Sequence, residues 1–153
     1  MKKIFLTTSP WQTKKLGETL SKEVLKTESQ KRALVISLEG DLGGGKTTFL
    51  QGLAKGLGIK EKITSPTFVI FRRYKIQNTK YKIQNFYHID CYRVKKPKEI
   101  LDLGLKEIVS GPRNIVAIEW ADRIKKVIPK EGVMWVSFAF LGRNKRKIVI
   151  KFK

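Results

Sequence analysis

The sequence predicts an α/β fold in which a mixed sheet carries flanking helices and antiparallel hairpins. The first observation is a nearly continuous apolar run from Ala33 to Glu39, typical of a parallel strand buried on both faces. The second is a glycine-rich stretch from Gly40 to Gly45, after which apolar residues keep helical spacing until Gly56 and Gly58. The chain has 153 residues, so we predict a single domain over residues 1–153.

A capped helix is predicted to precede the buried strand. Ser9 suits the N-cap, Pro10 suits the first helical position, and Gln12 is placed to complete a capping box. We expect this helix to end near Thr27. The later elements are predicted as a hairpin of Phe68 to Ile76 and Lys82 to Ile89 with its turn at Asn78 to Lys80, a helix over Lys98 to Val109, a buried strand over Ile115 to Glu119, and a closing hairpin of Val133 to Leu141 and Lys147 to Phe152 around Gly142.

The charge pattern points to a polyanionic partner. Lys and Arg total 33 against 13 Asp and Glu, which gives a formal net charge of +20, and the 41% of hydrophobic residues suffice for a core and exclude a disordered chain. Basic residues concentrate from Arg72 to Lys98 and from Arg143 to Lys153. These segments form either one stripe that faces RNA phosphates or an acidic protein, or an ordinary solvated surface.

The composition also bears on the location of the protein. No apolar run approaches the roughly 18 residues that a membrane-spanning helix needs. The single cysteine, Cys91, cannot form an internal disulfide and is interpreted as a small buried thiol. We therefore expect a cytoplasmic protein that does not associate with membranes.

The motif that carries chemistry is Gly40-Asp41-Leu42-Gly43-Gly44-Gly45-Lys46-Thr47, which fits the phosphate-binding pattern G-x-x-x-x-G-K-[ST]. Such a loop needs a buried strand before it, glycines whose N–H groups turn toward the phosphates, and a helix after it. All three are predicted here. Lys46 would contact the β- and γ-phosphates, and the hydroxyl of Thr47 would ligate Mg²⁺. The sequence therefore predicts a P-loop NTPase-like fold.

A nucleotide hydrolase also needs a carboxylate at the end of a neighbouring strand, to hold Mg²⁺ or orient the attacking water. Asp90 ends the run from Phe86 to Ile89, and Glu119 ends the run from Ile115 to Ile118. Either acid fits this role, and either is equally compatible with a structural salt bridge. We predict that at least one of the two is functional.

Three further features have two interpretations each. Ser65 and Thr67, beside Pro66, form either a switch that senses the γ-phosphate or a polar turn. His88, on the same face as Asp90, is interpreted as a packed strand residue, with a catalytic base as the alternative. The tryptophans Trp11 and Trp120 are interpreted as core or interface residues, with a nucleotide base as the alternative contact.

Together these motifs resemble the TsaE (YjeE) family, the small ATPases of bacterial tRNA threonylcarbamoyladenosine (t6A) biosynthesis. The matching blocks cover nearly the whole chain: Thr13 to Gly17, Gly40 to Thr48, Ser65 to Phe68, His88 to Arg93, Asp102 to Gly104, and Ile118 to Trp120. Gly44 stands where the family usually has Ala, a change that removes no ligand. The resemblance thus implies an ATP-dependent protein of tRNA modification.

The resemblance also implies roles for individual residues. Thr47 and Glu119 would bind Mg²⁺, Asp90 would take the Walker B-like part, and Ser65 with Thr67 would form the switch. The residues predicted to be catalytic are Lys46, Asp90, Glu119, Ser65 and Thr67. The residues predicted to contact ATP or ADP are Trp11, near the adenine, and Asp41, Leu42, Gly43, Gly44, Gly45, Lys46, Thr47 and Thr48. By the same resemblance the partners are the proteins TsaB and TsaD, with tRNA reached through their complex, and ATP hydrolysis is slow without them.

Other nucleotide-related functions fit less well. A GTPase needs an N-K-x-D base-reading motif, and the string from Asn144 to Lys147 lacks its aspartate. A small-molecule kinase would need an acceptor pocket and an arginine-bearing lid, for which only Arg93 to Lys98 is available. A basic RNA-binding module explains the net charge but has no use for Lys46 and Thr47. The kinase and the RNA-binding module remain the alternatives.

Overall fold

A computed structural model of the chain describes residues 1–26, 31–41, 45–63, 71–77 and 80–153. The strands are β1 (Lys2–Thr7), β2 (Leu34–Gly40), β3 (Phe71–Lys75), β4 (Asn85–Asp90), β5 (Asn114–Glu119), β6 (Val133–Gly142) and β7 (Lys145–Phe152). The helices are α1 (Pro10–Leu25), α2 (Lys46–Gly56), α3 (Pro97–Leu101) and α4 (Leu105–Ser110), with a 3₁₀ segment at Ala121–Val127. Within these ranges no helix is long and apolar enough to cross a lipid bilayer.

All seven strands form one sheet in the order β1-β7-β6-β2-β5-β4-β3. The four central strands, β6, β2, β5 and β4, are parallel, whereas β1, β7 and β6 at one end and β3 and β4 at the other pair antiparallel. The predicted α/β class with a mixed sheet and antiparallel hairpins is therefore confirmed. This order places β2, which leads into the glycine-rich stretch, between β5 and β6.

Two hydrophobic clusters cover the two faces of the sheet. One face packs against α1 and α2 through residues such as Leu38 and Phe49, and the other packs against α3, α4 and the 3₁₀ segment through residues such as Val35 and Ile118. The alternation of Val35, Ile36 and Leu38 between the faces explains why β2 is apolar without interruption. The central strands are thus held rigidly from both sides.

Local signals set most helix boundaries. The Gln12 backbone N–H donates to Ser9 Oγ over 3.2 Å, which confirms the predicted N-cap. The Gln12 side chain instead accepts from the Thr8 N–H at 2.7 Å, so the capping box is displaced by one residue. The single helix predicted over Lys98 to Val109 is wrong, because Gly104 adopts φ +94° and divides it into α3 and α4.

The two basic segments lie far apart in the sheet. Residues from Arg72 onward form β3 and β4, while the tail from Arg143 forms β7. Because β6, β2 and β5 separate β7 from β4, four strand spacings of about 4.8 Å place them roughly 19 Å apart. The strand order does not decide between an anion-binding stripe and a solvated surface, so both interpretations of these segments stay predictions.

Glycines allow α1 and α2 to approach closely. A Cβ added at Gly52 would overlap the Lys14 carbonyl oxygen, and one added at Gly17 would overlap the Phe49 carbonyl oxygen. Both obstacles are helix backbone, which cannot rotate aside. The contact fixes how α2, and with it the start of the helix at Lys46, sits against the rest of the fold.

The Gly52→Ala variant is expected to lose about 2 kcal/mol or more of unfolding free energy, because the helices must separate and the overlap outweighs the gain in helix propensity. Urea unfolding measures this loss. Lys55→Ala, on the exposed side of the same helix, is the control and should stay within about 0.5 kcal/mol of the parent. Equal stability of the two variants would show that the helix contact is looser than described.

Candidate functional site

The carboxyl ends of three parallel strands meet at the start of α2. The backbone pairs Leu38 with Glu119, and Glu119 with Asp90, so β2, β5 and β4 end side by side. Lys46 and Thr47 are the first two residues of α2, which follows β2 after the glycine-rich stretch. Ligands of parallel α/β sheets bind at this edge.

Lys46 is almost fully buried, with 5% of its surface exposed. Its Nζ donates to the carbonyl oxygens of Gly40 at 2.5 Å and Asp41 at 2.8 Å, and it lies 4.4 Å from the centre of the Trp120 ring. Burial lowers the pKa of Lys46 below its usual value, although carboxylates, Glu119 first among them, oppose the shift. A desolvated ammonium held by neutral carbonyls is suited to an anionic ligand such as a phosphate.

Glu119 is buried at the end of β5 and connects two other side chains. Its Oε1 accepts from Thr47 Oγ1 at 3.4 Å, and its Oε2 lies 2.7 Å from His88 Nε2. His88 is 1% exposed, so it is the packed strand residue that the sequence indicates. Its contact with Glu119 fixes the carboxylate beside the threonine hydroxyl.

Asp90 lies next to Glu119 across the parallel pair of β4 and β5. Its Oδ1 accepts from the Tyr92 N–H at 2.9 Å, which closes the turn that follows the strand. Both acids are thus at the same edge. The described contacts connect Thr47 to Glu119, while Asp90 shapes the adjoining turn.

The donor set is compatible with Mg²⁺ held jointly by protein and nucleotide. Among the described residues, no group of three or more His, Cys, Asp or Glu side chains could hold a metal by itself. Mg²⁺ in nucleotide enzymes uses one or two carboxylates together with phosphate oxygens and waters. Thr47 and Glu119, with Asp90 nearby, supply such a partial set.

Several predicted site residues lie outside the described ranges: Leu42, Gly43, Gly44, Ser65 and Thr67. Of the other predicted nucleotide contacts, Asp41 is exposed and uses its carbonyl to bind Lys46. Thr48 is half-buried in the first turn of α2. Their roles stay predictions.

The two tryptophans differ in environment. Trp11, in the first turn of α1, is 70% exposed, so its interpretation as a core residue is wrong. Trp120 is half-buried and covers Lys46, with φ +57° where β5 turns into the 3₁₀ segment. Its ring also contacts Tyr92 at 5.2 Å and Arg123 at 5.3 Å. It borders a cleft of about 290 Å³ that Asp41 also lines.

Cys91 follows Asp90 directly. The cysteine is buried and free, as the sequence indicates. Burial, reinforced by the charge of Asp90, raises the pKa of its thiol to about 12. The thiol stays protonated near neutral pH and does not act as a nucleophile.

The opposite side of the α2 start brings Gly45, a predicted nucleotide contact, close to Thr13 and to two residues that the sequence did not single out, Phe138 and Arg146. Gly45 is the N-cap of α2 with φ +98°. A Cβ built on it would lie 3.5 Å from Thr13 Cγ2, 3.8 Å from Arg146 Cγ and 3.9 Å from Phe138 Cδ1. Thr13 also shares a 2.8 Å hydrogen bond with the Thr7 hydroxyl. The sequence signal that could have identified Arg146 is the alternation of side chains along β7. Arg146 is two residues before the buried Ile148, so the two side chains share a face.

Comparison with known proteins gives a consistent result. The model of the family described as "Threonylcarbamoyl adenosine biosynthesis protein TsaE" matches residues 7–148. The chain belongs to the TsaE family. A TsaE protein of Nostoc sp. is 46% identical over 112 residues, which cover 69% of this chain and 64% of the Nostoc protein. A Bacillus subtilis TsaE is 40% identical over 126 residues, covering 82% of this chain and 75% of that protein.

A solved structure agrees with the fold. The crystal structure of Bacillus subtilis YdiB superposes with a TM-score of 0.71 at 31% identity, covering 98% of this chain and 84% of YdiB. The family model spans every described residue of the site discussed above, from Thr7 to Arg146. The family match and the structural match therefore agree on the α/β fold of this chain.

Proposed function

We propose that this TsaE-family chain binds ATP with Mg²⁺, hydrolyses it slowly, and supports the t6A modification of tRNA together with the proteins TsaB and TsaD. The observation that carries the proposal is the convergence of Lys46, Thr47 and Glu119 at the carboxyl edge of the sheet. This arrangement joins a buried cation to a hydroxyl and a carboxylate, the groups that a metal-bound triphosphate requires. Family membership favours this function over a small-molecule kinase or an RNA-binding module.

The roles follow from the contacts. Lys46 would exchange its carbonyl contacts for phosphate oxygens, which give the buried ammonium a full counter-charge. Thr47 and Glu119 would hold Mg²⁺, whose chemistry when bound is to neutralise charge that develops on the phosphates. His88 keeps Glu119 oriented toward Thr47. Asp90 would support this set from the neighbouring strand.

Slow turnover of the isolated chain has a structural rationale. Arginines that speed phosphoryl transfer reach over the phosphates. Arg123 instead stacks its guanidinium on Trp120 at 5.3 Å and on Tyr92 at 5.6 Å. We therefore propose that TsaB and TsaD complete the site, and that tRNA is reached through that complex.

ATP turnover by this chain is expected to rise at least about tenfold when TsaB and TsaD are both added, since a completed charge clamp commonly contributes more than this. Phosphate release under saturating MgATP measures the change. The Lys46→Ala chain with the same partners controls for ATPase activity contributed by the partners themselves. Equal turnover with and without partners would refute the partner-activated mechanism.

Calorimetric titration of the isolated chain with MgATP tests the proposed function before any partner is needed. Binding that requires Mg²⁺ for full affinity supports it. A chain that binds no adenine nucleotide, with or without Mg²⁺, refutes it.

A further inference from the structure

β1 leaves one edge of the sheet open. Among the residues that the structure describes, β1 pairs with β7 on one side and with no strand on the other. The register runs from Lys2 opposite Lys151 to Thr7 opposite Arg146 without a bulge. A strand at such an edge presents a row of backbone N–H and C=O groups to which another strand can bond.

One hydrogen bond shows which backbone groups of β1 face outward. The Phe152 N–H donates to the Met1 carbonyl oxygen at 3.2 Å, so Met1 directs its backbone groups toward β7. In an antiparallel pair, successive residues of a strand turn these groups alternately toward the partner and away from it. The residues of β1 that turn them away from β7 are therefore Lys2, Ile4 and Leu6.

The side chains on both faces of this edge offer apolar contacts. Ile4 and Leu6, on one face, are 54% and 68% exposed. On the other face, Lys3 and Phe5 line a cavity of about 310 Å³ between β1 and α1, where Leu20 forms part of the wall. Directly opposite residues of neighbouring strands lie about 5 Å apart, so the side chains of an added strand would contact both faces.

The charge along this edge is positive. β1 and β7 contain lysines and an arginine but no Asp or Glu, and Glu23 of α1 lines the cavity. Lys2 lies opposite Lys151, and like charges directly opposite each other destabilise a sheet. Carboxylates on an added strand would offset this repulsion. A second copy of the chain would add to it, because it has the same net charge of +20.

We propose that β1 binds an extended segment of an acidic protein as an additional strand of the sheet. Its apolar side chains would lie beside Ile4, Phe5 and Leu6, and its carboxylates beside Lys2 and Lys3. Strand addition of this kind takes its affinity from main-chain hydrogen bonds and its specificity from side-chain contacts. An RNA strand could contact the lysines, but it has no backbone that continues a β-sheet. This interaction goes beyond the proposed function and does not depend on nucleotide binding.

Amide hydrogen exchange of the full chain, measured by NMR, tests the proposed interaction. The probe is the peptide Asp-Glu-Val-Ile-Val-Glu-Asp, which is acidic at both ends so that it can pair in either direction. The Ile4 and Leu6 N–H groups face outward, so the peptide should slow their exchange at least about tenfold. The Phe5 N–H faces β7 and should change little.

Two variants and a control separate backbone pairing from charge. Ile4→Pro removes an outward N–H and keeps the bonds to β7, so it should abolish peptide binding while the chain stays folded. Lys2→Glu should weaken the binding roughly threefold or more. Lys106→Glu makes the same charge change at an exposed position in α4 and should leave the affinity nearly unchanged. Calorimetry measures these affinities, and thermal unfolding verifies that each variant is folded.

Peptides modified at single features keep the test decisive even if Ile4→Pro does not fold. The parent chain should bind neither the peptide with proline in place of its central isoleucine nor the peptide with lysines in place of its acids. Equal binding of either peptide would overturn the inference, as would unchanged exchange of the Ile4 and Leu6 N–H groups.

Two further results would assign this edge to another occupant and would also overturn the inference. The first is protection of the Ile4 and Leu6 N–H groups that rises with the concentration of the chain alone, which indicates a second copy. The second is protection by a uridine oligonucleotide and not by the acidic peptide, which indicates RNA. None of these results changes the expected binding of MgATP, so the proposed function is tested separately.

Discussion

Replacing Lys46 with alanine is expected to abolish most nucleotide binding by the isolated chain. The ammonium is buried and desolvated, and its contacts are with the carbonyls of Gly40 and Asp41, so it is oriented before any phosphate arrives. A charge-assisted contact to the β- and γ-phosphates is worth about 2–3 kcal/mol, which corresponds to a loss in affinity of roughly 30- to 150-fold. Calorimetric titration with MgATP measures this loss in affinity.

The matched control is Lys55→Ala, which removes a lysine of the same helix whose side chain is exposed and 4.0 Å from Glu18. Its affinity for MgATP should equal that of the parent, which shows that the effect depends on position and not on net charge. An unchanged affinity in Lys46→Ala would exclude a phosphate contact for this residue. Both variants should unfold cooperatively, because the contacts of Lys46 are with the Gly40 and Asp41 carbonyls and the half-buried Trp120 at the edge of the sheet.

The Glu119→Gln variant is expected to lose nearly all Mg²⁺-dependent ATP hydrolysis while keeping its fold. Glutamine has the same shape and can still hydrogen-bond with His88 and Thr47, so the packing of β5 is preserved. It removes the negative charge that would hold Mg²⁺ directly or through one water. Turnover in the presence of TsaB and TsaD should fall at least about 100-fold, a typical consequence of losing about 3 kcal/mol of transition-state stabilisation.

Variants of two other carboxylates serve as comparisons for the Glu119→Gln result. Asp90→Asn should slow turnover less, because Asp90 acts from the adjoining strand and also closes the turn at Tyr92. Glu131→Gln, at an exposed position away from the site, should leave turnover unchanged. If Glu119→Gln hydrolyses ATP at the parent rate with its partners present, Glu119 is not the metal carboxylate, and Asp90 becomes the candidate.

The chemistry-bearing segments were predictable because their signals are local. An uninterrupted apolar run indicates β2, and glycines followed by Lys46 and Thr47 indicate the helix start. The position of Glu119 at the end of a short apolar run places it at the carboxyl edge of the sheet, and the structure puts it there. These inferences need only neighbouring residues in the sequence.

The contacts among distant residues were not predictable in this way. Glu119 is 31 residues from His88 and 72 residues from Thr47, and both contacts depend on the strand order and register of the sheet. The contact of Trp120 with Lys46 also requires a left-handed backbone at Trp120, which an ordinary strand end does not indicate. Arg146 reaches Gly45 only because β7 is the second strand beyond β2.

Two element predictions failed for equally physical reasons. β1 was not predicted because it is a sheet-edge strand with mostly exposed side chains, and it is defined by its pairing with β7. The helix over Lys98 to Val109 was predicted from apolar spacing, which persists across Gly104 although its backbone does not stay helical. Spacing alone cannot distinguish one interrupted helix from two short ones.

The most direct test of the site is the position of the metal relative to Glu119. A crystal structure of the full chain with Mn²⁺ and a non-hydrolysable ATP analogue locates the ion by its anomalous scattering. We expect the ion within about 2.2 Å of Thr47 Oγ1, with the Glu119 carboxylate bound to it directly or through one water, and Lys46 Nζ in contact with the β- and γ-phosphates. An ion or triphosphate bound away from these three residues would contradict the account.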